Sequence, residues 1–151
     1  MKRPISELLK RSGVLIYTAP STSVREAVAT MSDHNIGSIL VMENNQKLVG
    51  IFSERDLLNR VVNEDLDPAK TPIHEVMTPD VVVVSGETAR SDALQIMQEN
   101  HIRHLPIADD DKLYGIVSLR DLLSFEKELR EQEVEQLRRF VYDKPYPSYP
   151  A

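Results

Sequence analysis

Two serines stand three residues ahead of two aspartates, Ser53 before Asp56 and Ser118 before Asp121. An ionised aspartate only accepts hydrogen bonds, so each one can take both hydroxyls of a vicinal diol such as a ribose. Each serine falls where a short apolar run gives way to a helical pattern. Its hydroxyl and the free backbone N–H groups of a helix start can therefore meet phosphate or ribose oxygens at the positive helix end. The same spacing also makes a helix cap, with serine at the N-cap and aspartate reaching back from the first turn. The residues are compatible with either reading, and with both at once. Cations lie close by: Arg55 and Arg120 flank the aspartates, and Arg103-His104 occupy positions where the first half of the chain has Gly37-Ser38. For any single arginine, the plainer expectation is an exposed residue or a surface ion pair.

Other chemistry finds little support. His101 and His104 are three residues apart, but they sit where a helix runs into a strand with no third ligand nearby, so no metal site is expected. Asp109-Asp110-Asp111 reads as a polar hairpin turn. Neither serine has a histidine base with an acidic orienter, and no nucleophile elbow, phosphate-binding glycine loop or dinucleotide fingerprint occurs. The chain has no cysteine. No enzyme activity and no catalytic cofactor are therefore expected. A formal charge of −6 argues against broad binding of nucleic acid, which depends on clustered cations. No apolar run approaches the roughly 20 residues that a membrane helix needs. The basic Met1-Lys2-Arg3-Pro4 is followed by the amphipathic Ile5-Ser6-Glu7-Leu8-Leu9, not by an apolar signal core, so a cytoplasmic location is expected.

The elements that carry these residues come twice. Val24 to Ile36 lies over Arg90 to Ile102 at an offset of 66 positions, with Ala27, Met31 and Ile36 recurring as Ala93, Met97 and Ile102. The register drops by one at a turn and resumes with Lys47-Leu-Val-Gly-Ile-Phe-Ser-Glu-Arg-Asp-Leu-Leu58 over Lys112-Leu-Tyr-Gly-Ile-Val-Ser-Leu-Arg-Asp-Leu-Leu123. Within each copy the apolar positions pass from helical spacing to short continuous runs split by a polar turn. Val14 to Tyr17 and Val81 to Val84 supply a strand before each first helix, and Leu57-Leu58 and Leu122-Leu123 open a second helix. Each unit thus reads strand, helix, strand, strand, helix. Such a unit is too small to bury a full core alone, and pairing two copies solves this. A linker over 64–72, interrupted by Pro68 and Pro72, separates them, and Pro72-Ile73-His74-Glu75 mirrors Pro4-Ile5-Ser6-Glu7.

With Gly50-Ile-Phe-Ser-Glu-Arg-Asp56 and Gly115-Ile-Val-Ser-Leu-Arg-Asp121 at matching places, the chain resembles the tandem cystathionine-beta-synthase (CBS) domain pair, or Bateman module. His104-Leu-Pro-Ile107 and Val76-Met-Thr-Pro79 fit the same resemblance. It implies an α+β fold of layered α/β type, with two pseudo-twofold CBS repeats, over 3–63 and 73–125, and clefts between them. Each cleft would take an adenosine-containing ligand, of which AMP, ADP or ATP is the expected class, as a regulatory ligand. On that resemblance Ser53, Asp56, Ser118 and Asp121 would meet ribose and phosphate, and Arg103, His104, Arg120 and Arg55 would converge on phosphate. The base needs an apolar slot with backbone partners, which Ile16, Thr18, Ile36, Val82, Val84 and Ile102 can offer; these residues are otherwise simply core. Arg90 departs from the pattern, standing where the first repeat has Val24, and either faces solvent or reaches a phosphate.

A charged helix is expected to continue through 126–141, with Val134, Leu137, Phe140 and Val141 apolar, followed by a Pro/Tyr-rich tail over 142–151. The apolar stripe jumps five residues after Leu129, which disfavours a continuous coiled coil but suits packing on a partner subunit. Related modules dimerise through their helices, so a homodimer is expected. With no catalytic or DNA-binding domain in the sequence, the output would pass to a separate, unidentified effector protein. The competing expectation is a structural interaction protein whose clefts are vestigial.

Overall fold

The computed structural model describes residues 3–9, 15–44, 47–110 and 112–142. The elements are α1 (Ser6–Leu9), β1 (Tyr17–Thr18), α2 (Val24–Asp33), β2 (Ser38–Glu43), β3 (Lys47–Ser53), α3 (Glu54–Asp56), α4 (Arg90–Glu99), β4 (His104–Asp109), β5 (Lys112–Ser118) and α5 (Leu119–Tyr142). A π-helical turn over Leu57–Val62 continues α3, and a 3-10 turn covers Ile73–Glu75. Tyr142, expected to open the tail over 142–151, instead ends α5; the rest of that tail, Val14 and the turn residues Asn45, Gln46 and Asp111 lie outside the described residues.

The repeat is local as well as global. Helices α2 and α4 end alike: the Ile36 N–H donates to Met31 O and the Ile102 N–H to Met97 O, both at 3.0 Å. Asn35 and His101 take the left-handed conformation that this wrap requires, with φ of 52° and 53°, and it folds Ile36 and Ile102 back onto the cores. The starts differ. Ser23 Oγ accepts from Glu26 N at 3.2 Å to cap α2, whereas Ala89 leaves α4 without a side-chain cap. Both hairpins are antiparallel and carry an irregularity at the same place, between Val41 and Met42 in β2 and between Ile107 and Ala108 in β4.

The leading strands are shorter than the apolar runs suggest. β1 comprises only Tyr17 and Thr18, pairing parallel to Leu40 and Val41. Val81 to Val84 do not form a strand: Val84 alone bridges Ile107. The chain spends this stretch crossing between sheets, since Thr78 pairs with Ile51 at 2.8 and 3.0 Å and Asp80 turns with a φ of 54°. That leaves Val81, Val82 and Val83 no neighbouring strand to join. The second helices begin directly after Ser53 and Ser118, three residues earlier than the leucine pairs suggest. In the first repeat the helix is one turn followed by the π-turn, and in the second it is an unbroken 24-residue helix.

The two lead-in segments are exchanged. Ile5 and Leu8, at the start of the first repeat, lie buried in the core of the second, among Val84, Ala93, Met97, Leu105, Ile107, Val117, Leu122 and Phe125. Ile73 and Val76, at the start of the second repeat, lie buried in the core of the first, among Val24, Ala27, Met31, Ile39, Val41, Phe52 and Val61. Backbone bonds hold each insertion: Ile5 N to Thr88 O at 2.8 Å, Ser6 N to Gly86 O at 3.0 Å and Arg90 N to Arg3 O at 3.0 Å on one side, Ile73 N to Thr22 O at 2.8 Å and Val24 N to Thr71 O at 2.9 Å on the other. Gly50 belongs to this exchange, because a Cβ there would collide with the side chain of Met77.

Arg90 neither faces solvent nor reaches the inter-repeat cleft. It is 3% exposed, stacks on Phe125 with its guanidinium carbon 4.7 Å from the ring centre, and sets Nη1 2.8 Å from Glu126 Oε1. That approach is off the line of a good hydrogen bond, and Nε has no acceptor among the described residues. Desolvating an arginine against one half-exposed carboxylate is a poor return on burial. An Arg90→Val substitution, which restores the residue of the first repeat, should therefore leave stability unchanged or raise it. Glu126→Ala, which strands the buried cation, should cost on the order of 1–2 kcal/mol, less than for a fully enclosed pair because Glu126 is 41% exposed. Denaturant unfolding of the two variants checks this ordering. By the same measurement Ile5→Ala should cost about 2–4 kcal/mol, a loss that falls on the core of the second repeat although the residue belongs to the first.

Candidate functional site

A cleft of about 860 Å³ opens between the repeats, within the range of small-molecule sites. Most of its apolar lining comes from the first repeat, including Leu15, Ile16, Val28, Met31, Ile36 and Leu57, with Ile116 from the second. The second repeat supplies Arg103, His104, Ser118, Arg120 and Asp121, and the first adds Glu54 and the uncharged Ser32, Asn35 and Ser38. The hairpin assembles the polar group: His104 and Ser118 are cross-strand partners at the open end of β4 and β5, and the Leu119 N–H donates to Arg103 O at 2.8 Å, turning Arg120 and Asp121 onto the first turn of α5.

The structure thus brings together seven of the residues singled out in the sequence: Ile16, Ile36, Arg103, His104, Ser118, Arg120 and Asp121. It places the others elsewhere. Ser53 and Asp56 cap α3, Arg55 is exposed on that turn and Thr18 is half-buried in β1. Val82, Val84 and Ile102 belong to the core of the second repeat.

The two Ser-x-x-Asp pairs both form caps, yet their aspartates are in different states. Asp56 Oδ2 accepts from Ser53 N at 3.0 Å and from Ser53 Oγ at 3.1 Å, while its own N–H donates to Ser53 Oγ at 3.3 Å. Thr78 Oγ1 lies 3.4 and 3.5 Å from its two oxygens, and Arg60 Nε is 3.7 Å from Oδ1, leaving the side chain 13% exposed. Arg60 also donates to Met77 O at 2.8 Å, so this cluster ties the first repeat to the exchanged segment. Asp121 has only the cap. Its N–H donates to Ser118 Oγ at 3.0 Å and its Oδ2 accepts from Ser118 N at 3.4 Å. Oδ1 is without a hydrogen bond among the described residues, and Asp121 is exposed to the cleft.

The cations of the cleft are likewise uncommitted: neither Arg103 nor Arg120 makes an ion pair among the described residues. Burial holds the His104 imidazole below its ordinary pKa, with Arg103 acting in the same direction and the charges of Glu54 and Asp121 opposing. Glu54 was not singled out in the sequence. Its carbon Cδ lies 3.5 Å from where a Cβ on Gly37 would be, so the glycine leaves room for the carboxylate at the cleft. The signal that could have marked it is a mismatch: the repeat aligns it with Leu119.

Comparison with known proteins agrees with this architecture. The model of the CBS domain matches residues 5–63 and 73–128, and the chain belongs to the CBS-domain family, as a tandem pair. It is similar to an uncharacterised 17.7 kDa protein of Acidianus ambivalens, 44% identical over 104 residues, which are 68% of this chain and 62% of that one. A CBS domain-containing protein of Bacillus subtilis is 38% identical over 69% of this chain and 73% of its own length. The chain spans less than two thirds of the Acidianus relative. Among solved structures, an uncharacterised conserved protein from Pyrococcus horikoshii superposes with a TM-score of 0.77 at 32% identity, covering 83% of this chain and 93% of that one. A CBS-domain protein from Agrobacterium tumefaciens gives 0.77 at 28% identity, over 82% and 99%. Among the described residues, no helix is long and apolar enough to cross a membrane.

Because the folded chain holds His104 more weakly protonated than an unfolded chain would, acid favours unfolding. Stability linked to this residue is intact above the ordinary imidazole pKa and is lost as pH falls through and below about 6.5. Thermal melts of His104→Gln against the parent chain between pH 7.5 and 5 should show a shallower decline for the variant.

Proposed function

We propose that the chain is a regulatory module whose inter-repeat cleft binds an adenosine nucleotide of the AMP, ADP or ATP class. The observation that carries this reading is the uncommitted polar set at one cleft. Asp121 has an open acceptor oxygen for a ribose diol, and Arg103 and Arg120 are two unpaired guanidiniums suited to phosphate. The base would lie against Ile16, Ile36 and Leu57. Ligand at this cleft touches both repeats and the first turn of α5 together. It therefore favours whichever arrangement of the three gives it more contacts, and that difference in affinity is the signal.

The reading is regulatory and not catalytic, since among the described residues no hydrogen bond joins Ser118 to the neighbouring His104, and the serine hydroxyl instead accepts from the Asp121 N–H as a helix cap. Output passes to a separate effector protein in the cytoplasm. Exposed Leu123, Val134 and Leu137 along α5 support pairing with a second copy, because such residues seldom stay in water together. Asp56, enclosed by Ser53, Thr78 and Arg60, acts as a structural tie between repeat and linker.

Titration calorimetry with AMP, ADP and ATP, together with thermal melts, separates the two aspartates. Asp121→Ala should weaken binding at least tenfold with little change in melting temperature. Asp56→Ala should retain binding while losing about 1–2 kcal/mol of stability, the cost of a cap and its buried partners. Absence of heat with all three nucleotides, or an unaltered affinity in Asp121→Ala, overturns the reading in favour of a structural interaction protein with a vestigial cleft.

A further inference from the structure

The cleft contains a charge that does not suit a long phosphate chain. Glu54, in the first turn after Ser53, reaches the cleft over Gly37. Its carboxylate makes no hydrogen bond or ion pair among the described residues, and it acts electrostatically on His104 across the repeat boundary. At the corresponding place the second repeat has Leu119. Among the described residues, the charged side chains lining the cleft are then Arg103 and Arg120 against Glu54 and Asp121. With Asp121 given to the ribose, two guanidiniums match the charge of one phosphate group. Each further phosphate adds negative charge near Glu54 with no further cation among the described lining residues to meet it.

We propose that Glu54 is a specificity-determining residue that biases the cleft toward a nucleoside monophosphate over di- and triphosphates. The inference rests on the nucleotide reading above and concerns which member of the class is taken. Coulomb repulsion between an exposed carboxylate and two extra phosphate charges some 7 Å away, screened by water and salt, amounts to a factor of about three in relative affinity.

The test is the ratio of AMP to ATP affinity, measured by calorimetry in EDTA so that no magnesium neutralises the triphosphate. In the parent chain AMP should bind more tightly than ATP. In Glu54→Gln, and in Glu54→Leu, which carries the residue of the second repeat, ATP affinity should rise roughly threefold relative to AMP. Melting temperatures of both variants establish that they fold, as expected for a position exposed on a short helix. If both nucleotides bind but their ratio is the same in all three proteins, Glu54 does not set selectivity and the proposal falls while the nucleotide reading stands. If ATP binds the parent chain more tightly than AMP, the proposal falls as well. If none of the three proteins binds either nucleotide, the nucleotide reading itself falls, and this inference with it.

Discussion

Neither repeat closes its own core. Each lacks one apolar wedge, and the wedge arrives from the leading segment of the other repeat: Ile5 with Leu8 in one direction, Ile73 with Val76 in the other. Two units of this size have a poor ratio of interior to surface, and completing each with part of the other converts two marginal cores into one cooperative object. The cleft depends on this. Most of its apolar lining belongs to the first repeat and three of the four charged side chains among its described lining residues to the second, so it exists only while the exchange fixes how the two face each other.

The exchange also accounts for the unequal aspartates. The segment that inserts Ile73 and Val76 continues directly to Met77 and Thr78, which lie over Gly50 and beside Asp56. Arg60 reaches the carbonyls of the same stretch. One aspartate of the pair is thereby enlisted in holding the fold together, and its counterpart at the other side keeps an oxygen free. A duplicated motif has taken on two occupations, because a buried acceptor must be satisfied wherever it lies and an exposed one need not be.

Much of this was legible in the residues. The offset between Val24 and Arg90, the recurring Gly-apolar-x-Ser-x-x-Asp and the switch of apolar period identify the units, their hairpins and the capped turns, because these are local patterns repeated twice. The mirrored Pro4-Ile5 and Pro72-Ile73 were also visible, but the direction in which they insert was not, since a short apolar segment carries no label for its partner. For the same reason Ile16 and Ile36 could be paired with Asp121 only by the arrangement of whole repeats. Val81 to Val84 read as a strand by composition, but strand formation needs a free neighbouring edge, and the crossing chain finds one only at Val84. Arg90 shows the limit most plainly: its type suggests solvent or anion, whereas Phe125 and Glu126 enclose it.

The helix that presents Arg120 and Asp121 to the cleft is also the helix that carries Val134 and Leu137 outward, without interruption over 24 residues. At 1.5 Å per residue it is a rod of about 36 Å, so a tilt of about 5° at its first turn sweeps its far end through about 3 Å. Most of the rod extends beyond the packing around Phe125, so it acts as a pointer whose pivot is a binding site. A displacement too small to disturb the core at its base becomes, at the tip, as large as the mismatch that spoils the packing of one helix against another.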